Sequence, residues 1–419
     1  MNSWSNASNL AYHLDLSKVP SCRFEMGPIR PPSEGQDRSL LIRVNRNCPW
    51  NRCQFCGTYK GQKFSYRSAE EVKQDIDVAK AIADGLKAAS WTLGYGGVIR
   101  QEVLSAVIRG TPEVYGRHLA DTQELTARLN SLVSVANWLS AGARTVFLQD
   151  GNSVIMRQKE LVDVLQHLNE TFPTIERITS YARAKTMAQR SVEELQALRL
   201  LGLKRLHLGL ESGCAKVLTF MDKGVTPEEQ IRAGQQVKAA GMELSEYMMP
   251  GLGGRRWSTT HAIESADVLN QVNADFIRLR SLIVRRGLPL YDKMQSGDFV
   301  PLSEDEVVDE IGLFVENLNC HSYLVSDQMS NLLWEVEGQL PGEKPAILHT
   351  IRQYKAMDRF ERLAFRLQRR AQSFMSVYGG VTPDVAEAVE TAFAAIRQED
   401  PEAEAKVDRA IEALKQGFI

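Results

Sequence analysis

The chain has 419 residues, of which 43% are hydrophobic and 24% are charged, and its formal net charge is −2 at pH 7. These values are ordinary for globular proteins and predict one large domain with an appendage, or two domains. The sequence contains no run of about 18 apolar residues, so no membrane span is predicted. The N-terminal segment lacks the basic and apolar regions of a signal peptide. A cytoplasmic location is therefore expected.

Residues 1–38 are rich in Pro, Ser and Gly and predict an irregular extension. The apolar run SLLIRV at 39–44 then predicts a buried strand. It leads directly into the loop NRNCPWNRCQFCGTY at 45–59. This loop holds three of the six cysteines of the chain: Cys48, Cys53 and Cys56.

After the cysteine loop, helices and strands alternate. Ser68 and Glu71 form a capping-box pattern that predicts the start of a long helix, and residues 91 to about 121 interrupt the alternation as an insertion. Five more strands are predicted at 145–149, 177–182, 205–211, 243–249 and 276–283, separated by helices at 158–170, 191–201, 227–240 and 258–272. Strands that alternate with helices form a parallel sheet. The regular succession favours an α/β fold with a partial (β/α)6 barrel of the TIM type over a doubly wound sheet.

From about residue 303 the pattern is helical without strands, including the segment 326–340, and it predicts a mainly helical C-terminal domain over 303–419 behind a barrel over 39–292. One predicted helix carries seven Lys or Arg, at 352, 355, 359, 362, 366, 369 and 370. Such a stripe can contact RNA phosphates. Apolar residues at helical spacing favour instead an amphipathic helix whose cations are solvated or paired with the acidic tail that follows.

Three neighbouring cysteines in a cytoplasmic protein indicate a metal or redox site rather than disulfides. A structural zinc site takes four protein ligands, whereas a [4Fe–4S] cluster held by three cysteines leaves one iron open to another molecule. Function in a barrel gathers on the loops after the strands. Cys48, Asp150, Arg183 and Glu211 all lie at such positions.

The cysteine trio, with Phe55 directly before Cys56, resembles the signature of the radical S-adenosylmethionine (radical SAM) superfamily, although four residues rather than the usual three separate Cys48 from Cys53. Asp150 replaces the more usual Gly or Glu of the family's second-strand motif. The resemblance extends over residues 39–292 through FLQDGNS at 147–153, LHLGLESG at 206–213, VLTFMDKGVT at 217–226, YMMPGLGG at 247–254 and RSLIVRRGLPLY at 280–291. These stretches are similar to the subgroup of Elongator-type, methylthiotransferase and coproporphyrinogen-oxidase-like enzymes.

The resemblance implies an oxidoreductase or transferase in which Cys48, Cys53 and Cys56 hold a [4Fe–4S] cluster. The open iron would bind S-adenosylmethionine (SAM), and one electron would cleave it to a 5′-deoxyadenosyl radical that takes a hydrogen atom from a substrate. The residues implied to contact SAM are Asp150 and Gly151 at the methionine amine, Arg183 at the carboxylate, Glu211 and Ser180 at the amine or ribose hydroxyls, and Phe55 and Met249 at the adenine.

Cys214, directly after the ESG turn, and His321, early in the C-terminal region, are candidate catalytic residues. The resemblance implies a flavodoxin- or ferredoxin-type electron donor. A small-molecule or peptide substrate is expected rather than RNA, and no second cluster is predicted from Cys22 and Cys320. Two other functions stay open: transfer of the 3-amino-3-carboxypropyl group with the same cofactors, and a zinc-stabilised RNA-binding module without catalysis.

Overall fold

The structure, a computed structural model, describes residues 22–31, 38–116 and 122–416. Its centre is an eight-stranded sheet whose strands lie side by side in chain order, and a two-stranded ribbon stands beside it. The strands of the sheet are β1 (Leu40–Arg43), β4 (Thr145–Gln149), β5 (Arg177–Ala182), β6 (Leu203–Glu211), β7 (Glu243–Met248), β8 (Phe276–Leu279), β9 (Tyr323–Val325) and β10 (Gly338–Gln339), and those of the ribbon are β2 (Asn45–Arg46) and β3 (Ser65–Tyr66).

Within the eight-stranded sheet, every neighbouring pair of strands up to β9 is parallel, and β10 pairs with β9 in the antiparallel direction. The described helices are α1 (Ala69–Thr92), α2 (Gln101–Gly110), α3 (Pro112–Tyr115), α4 (Thr122–Ser140), α5 (Gln158–Thr171), α6 (Ala184–Met187), α7 (Val192–Leu200), α8 (Ala215–Phe220), α9 (Pro227–Ala239), α10 (Gly254–Val272), α11 (Pro289–Gln295), α12 (Glu304–Asn317), α13 (Lys344–Ala356), α14 (Arg359–Tyr378), α15 (Pro383–Arg397) and α16 (Ala403–Lys415). The chain is therefore an α/β protein with a partial barrel, as expected. None of its described helices is long and apolar enough to cross a membrane.

The two faces of the sheet have different compositions. Leu148, Ile178 and Leu206 on one face belong to the main apolar core that the surrounding helices complete. On the other face, rings from successive strands contact one another across β4 to β7: Phe147, Tyr181, His207 and Tyr247. The hydroxyls of Tyr181 and Tyr247 lie 3.1 Å apart. Because side chains alternate along a strand, these rings share the inner face of the barrel, while the apolar core packs against the outer face.

The expectation of a strand-free C-terminal region is wrong. Residues 326–337 contain no helix, β9 precedes this loop, and β10 follows it. Asn331 fixes the loop because its side-chain oxygen accepts from the backbone N–H of Ser281 and its amide donates to the carbonyl of Leu279. These strands are only two or three residues long. Such short strands cannot show the two-residue periodicity of a strand, so the helical spacing of the apolar residues gave the wrong prediction.

Two other expectations change in detail. The predicted insertion contains the end of α1 and the short helices α2 and α3, while residues 117–121 lie outside the described residues. The long basic helix is divided between α13 and α14. Asp358 starts the second helix, accepting hydrogen bonds from the backbone N–H groups of Phe360 and Glu361.

The cations of α14 are paired with carboxylates. Arg366 contacts Asp408 at 2.5 Å, and Arg370 contacts Glu304 at 2.8 Å. Arg369 contacts Glu335, Arg362 contacts Asp305, and Arg359 contacts Glu404. The amphipathic interpretation is therefore correct, and this stripe does not present a row of free cations to RNA.

Candidate active site

The cysteine loop begins where β1 and β2 end, at the carboxyl edge of the sheet. Its three thiols are free and half-buried. The backbone N–H of Gln54 donates to the carbonyl of Met221, so the loop is attached to the segment between α8 and α9. Within the described residues, no three His, Cys, Asp or Glu side chains converge closely enough to hold a single metal ion.

Asp150 ties the two ends of this loop to the sheet. Its carboxylate, which is fully buried, accepts hydrogen bonds from the backbone N–H of Asn47 and from Tyr59, at 2.8 and 2.9 Å. It also pairs with Arg43 at 2.8 Å. Asn47 directly precedes the first cysteine and Tyr59 lies three residues after the last. Both carboxylate oxygens are thus engaged by the fold, and Asp150 holds the loop rather than facing the barrel mouth.

Trp50 is one of the four residues between Cys48 and Cys53, a spacing that is one residue longer than usual. Its indole N–H donates to the carbonyl of Asp222 at 2.6 Å. The ring packs so closely on Gly224 that a Cβ there would lie 2.3 Å from Cζ2 of Trp50. Gly224 also has a φ of +67°, which favours glycine. The longer spacing therefore accommodates an anchor between the cysteine loop and the segment after α8.

Two cations lie beside the cysteines. The guanidinium of Arg183 lies 5.1 Å from the centre of the Trp50 ring and donates to the carbonyl of Lys223. The ammonium of Lys223 lies 3.1 Å from Oε1 of Glu211 and 5.9 Å from the ring of Phe55. Burial raises the pKa of the Cys53 thiol, while the charges of Lys223 and Arg183 act in the opposite direction. A thiolate or an anionic cluster here would therefore face positive charge.

The loops after β6 and β7 are held together by His261 of α10. Its Nδ1 lies 2.8 Å from Oγ of Ser212, and its Nε2 lies 3.0 Å from the carbonyl oxygen of Met249. Ser212 and His261 are completely buried. This arrangement fixes the loop after β6 and the loop after β7 relative to each other.

The remaining residues predicted to contact SAM divide into two groups. Phe55 and Met249 pack against one apolar cluster formed by α8, α11 and the loop after β7, and Gly151 lies near Cys48, with 3.9 Å between a Cβ placed on it and Cβ of Cys48. Ser180 is different. It is buried in β5, and its hydroxyl contacts the carbonyls of Leu148 and Tyr181, so it does not reach the mouth.

The two candidate catalytic residues lie in different parts of the fold. Cys214 is buried in the apolar cluster against which Phe55 packs, and burial raises the pKa of its thiol. His321 precedes β9, which runs parallel to β8. It therefore lies at the amino edge of the sheet, opposite the cysteines. The position of His321 is a correction that follows from a strand the sequence did not predict.

Sequence reasoning missed several residues that build this site. Tyr59 lies in the cysteine loop and Lys223 in the stretch VLTFMDKGVT. A charged side chain in an apolar stretch is the signal that would have identified Lys223. Glu246 carries the same signal inside β7. It is buried, and burial raises its pKa well above the usual range.

Comparisons with known proteins identify the family. The family model described as the Radical SAM superfamily matches residues 42–265, more than half of the chain. The chain belongs to the radical SAM superfamily. It is thus an enzyme of a family whose cofactors are a [4Fe–4S] cluster and SAM and whose members need a reductant.

The sequence matches to two curated relatives extend over only part of this chain. The tRNA uridine(34) acetyltransferases of Methanocaldococcus jannaschii and Methanocaldococcus infernus are 27% identical over 120 and 122 residues, which are 28% and 29% of this chain and 22% and 23% of the relatives. The matched segment therefore spans less than a quarter of their length. The names of these relatives do not support the prediction that the substrate is a small molecule or peptide rather than RNA.

Two solved structures are also similar. The archaeal Elp3 of Methanocaldococcus infernus has a TM-score of 0.37 and 18% identity, and the match covers 48% of this chain and 51% of that one. Methylornithine synthase has a TM-score of 0.39 and 14% identity, with 75% and 70% covered.

Proposed function

We propose that Cys48, Cys53 and Cys56 hold a [4Fe–4S] cluster and that the protein cleaves SAM reductively to start radical chemistry on a substrate. The observation that carries this proposal is the placement of three free thiols on one loop, at the carboxyl edge of a radical SAM barrel and beside two cations. Three thiolates suit an iron–sulfur cluster and leave one iron for SAM. When bound, the cluster supplies the electron that breaks a carbon–sulfur bond of SAM.

The residues of the chain position these groups and exclude water. Lys223 and Arg183 offset the negative charge of the thiolates. Arg183 pairs the carboxylate of SAM, and Glu211 accepts from its amine through the oxygen that Lys223 does not contact. Gly151 lets the backbone approach the methionine portion, while Phe55 and Met249 contact the adenine. Asp150 contributes indirectly, by positioning the cysteine loop.

The deciding experiment is anaerobic reconstitution with iron and sulfide, followed by incubation with SAM and dithionite. We expect 5′-deoxyadenosine as the nucleoside product, and its loss in Cys53→Ala. Cys320→Ala is the matched control because Cys320 is buried in the main core, away from the loop. Equal production of 5′-deoxyadenosine by Cys53→Ala and the wild type would contradict cluster ligation by this residue.

The same assay separates the two alternatives. Formation of 5′-methylthioadenosine indicates transfer of the 3-amino-3-carboxypropyl group. Zinc without sulfide in the purified protein, together with no SAM cleavage, indicates a zinc-stabilised module.

A tRNA is the second candidate substrate, favoured by the names of the two relatives and by the segment after β8. Arg280, Arg285 and Arg286 have no carboxylate partner among the described residues, and Arg280 lies near the Tyr181–Tyr247 pair on the inner face. These cations suit a polyanion. We expect the double variant Arg285→Glu/Arg286→Glu to weaken tRNA binding in a mobility-shift assay, with Arg352→Glu on α13 as the control. Unchanged tRNA affinity in the double variant would favour a small-molecule or peptide substrate.

A further inference from the structure

Strand β6 contains a bulge directly before Glu211, the residue proposed to contact SAM. In the pairing with β7, Gly209 lies opposite Tyr247, and the next pair is Glu211 with Met248. Leu210 between them has no partner in this register. Glu211 also has a φ of +61°, a region that residues with a side chain seldom adopt. Such backbone persists only where the surrounding structure holds it, so the groups that hold this bulge control where Glu211 lies.

Two buried side chains bind the backbone of the bulged residue. Gln230 of α9 donates through its amide to the carbonyl of Leu210 at 2.8 Å. The backbone of Leu210 also forms a hydrogen bond with the carboxyl group of Glu246 in β7. Gln230 and Glu246 are only 1% and 2% exposed. A bulged residue loses hydrogen bonds of the ladder, and these two side chains supply partners for its backbone groups.

Each of these side chains keeps one buried oxygen that has no hydrogen-bond partner among the described residues. The two atoms are Oε2 of Glu246 and Oε1 of Gln230. Two acceptors satisfy each other only when one of them carries a proton, and a carboxylic acid has an O–H donor that an ionised carboxylate lacks. Because both side chains reach the backbone of the same residue, one proton on Glu246 can satisfy both oxygens.

The charges around Glu246 also favour the neutral acid. Lys223, a cation whose charge acts on Glu246, forms its ion pair with Glu211 instead. Burial raises the pKa of Glu246 well above its usual range. The charge of Lys223 acts in the opposite direction, and that of Glu211 acts in the same direction as burial. A buried carboxyl group without a paired cation is more stable when it is neutral.

We propose that Glu246 is a positioning residue that stays protonated, donates to Gln230 and thereby holds the bulge that presents Glu211 to SAM. The role at Glu211 rests on the proposed function, whereas the protonation of Glu246 does not. Gly209 completes the arrangement, because a Cβ on it would collide with Oε1 of Glu211 and would lie 3.1 Å from Nζ of Lys223. The position of the Glu211 carboxylate therefore depends on the backbone on both sides of the bulge.

The first test needs no SAM and compares the wild type with Glu246→Gln. Glutamine keeps one acceptor and one donor, as the neutral acid does, but it does not titrate. Above the unfolded-state pKa of about 4.3, the folded wild type holds a proton that the unfolded chain releases. Its unfolding equilibrium constant should therefore rise, relative to that of Glu246→Gln, by up to about tenfold per pH unit. Urea unfolding between pH 5 and pH 8 measures this ratio, and a constant ratio would overturn the proposal.

Infrared spectroscopy gives a second readout of the proton. At pH 7 the difference spectrum between the wild type and Glu246→Gln should contain the C=O band of a protonated carboxylic acid. A difference spectrum with only the bands of an ionised carboxylate would overturn the proposal.

The positioning role is tested with SAM and dithionite in the reconstituted protein. In Glu246→Ala the KM for SAM in 5′-deoxyadenosine formation should rise about tenfold, equivalent to one hydrogen bond to a charged group, with a smaller change in kcat. Glu246→Gln should keep the wild-type KM. Glu243→Gln, at a carboxylate of the same strand that is 46% exposed, is the control and should change neither parameter. If Glu246→Ala does not fold, Gln230→Ala should raise the KM in the same way.

Three outcomes separate the possibilities. An equal rise in KM in Glu246→Gln and Glu246→Ala would overturn the proposal, because Glu246 would then act through its negative charge. An unchanged KM in the alanine variants, together with lower stability, would also overturn it, because the bulge would then not position Glu211. Absence of SAM cleavage in the wild type would contradict the proposed function, while the pH dependence of unfolding would still test the protonation of Glu246.

Discussion

The hydroxyl of Tyr59 donates a hydrogen bond of 2.9 Å to Oδ1 of Asp150, across 91 residues of sequence. Oδ2 of the same carboxylate accepts from the backbone N–H of Asn47. One buried side chain at the end of β4 therefore holds the cysteine loop from both sides. This contact gives Asp150 a positioning role that a glycine at the same place would not have.

Replacing Asp150 should loosen the loop and destabilise the protein. Asp150→Ala leaves Arg43, whose side chain is only 12% exposed, without one of its carboxylate partners. We expect the free energy of unfolding to fall by about 3–5 kcal/mol and the iron bound after reconstitution to decrease. Urea unfolding and iron analysis measure the two effects. Asp77→Asn, at a carboxylate that is 54% exposed, is the control. Full iron content in Asp150→Ala would contradict the positioning role.

The contact between Trp50 and Gly224 predicts a specific coupling. Gly224→Ala should lower the free energy of unfolding by about 1–3 kcal/mol through overpacking, in addition to the cost of its positive φ. Gly297→Ala measures that second cost alone, because Gly297 has a φ of +83° and no atom within 4 Å of a Cβ there. In a Trp50→Leu background the two alanine substitutions should cost the same. A Gly224→Ala cost that is independent of Trp50 in this double-mutant cycle would refute the anchor.

A buried ion cluster should make stability depend on pH. Glu304 contacts Arg370 at 2.8 Å and also pairs with Lys415. Burial alone would raise the pKa of Glu304, but the two cations outweigh it and hold that pKa well below its usual range. The resulting stabilisation is complete above the unfolded-state pKa of about 4.3 and is lost as the pH falls towards the folded-state value.

Two variants test this cluster. Arg370→Gln leaves a buried carboxylate with one partner fewer, and the free energy of unfolding at pH 7 should fall by about 3–5 kcal/mol. Glu304→Gln should show a smaller loss of stability than the wild type between pH 5 and pH 3, measured by urea unfolding at each pH. An identical pH dependence in Glu304→Gln and the wild type would show that Glu304 does not titrate with a lowered pKa.

The cations of α14 should have little part in nucleic-acid binding. Arg359→Gln and Arg362→Gln remove exposed pairs, so each should change the free energy of unfolding by less than about 1 kcal/mol and leave tRNA affinity unchanged in a mobility-shift assay. Arg366→Ala removes a cation that is 4% exposed and paired with Asp408, and it should cost about 1–3 kcal/mol. A large loss of tRNA affinity in the first two variants would restore the RNA interpretation of this helix.

The sequence by itself determined the elements that depend on neighbouring residues. The six strands from β1 to β8 in the sheet and the capping box at Ser68 follow from local periodicity and hydrogen bonding, and the structure contains them. The cysteine loop could also be placed at the carboxyl edge, because each strand that follows a crossover helix runs in the same direction.

Only the tertiary structure decided how distant residues meet. Asp150 looked like a group for SAM, yet Arg43 and Tyr59 engage both of its oxygens. Ser180 occupies the outer face of its strand, and the unexpected strand β9 places His321 at the opposite edge of the sheet. The α14 cations found partners on α12 and α16 and in the loop before β10. Such pairings depend on register, strand alternation and the packing of separate elements, and no local pattern in the sequence records them.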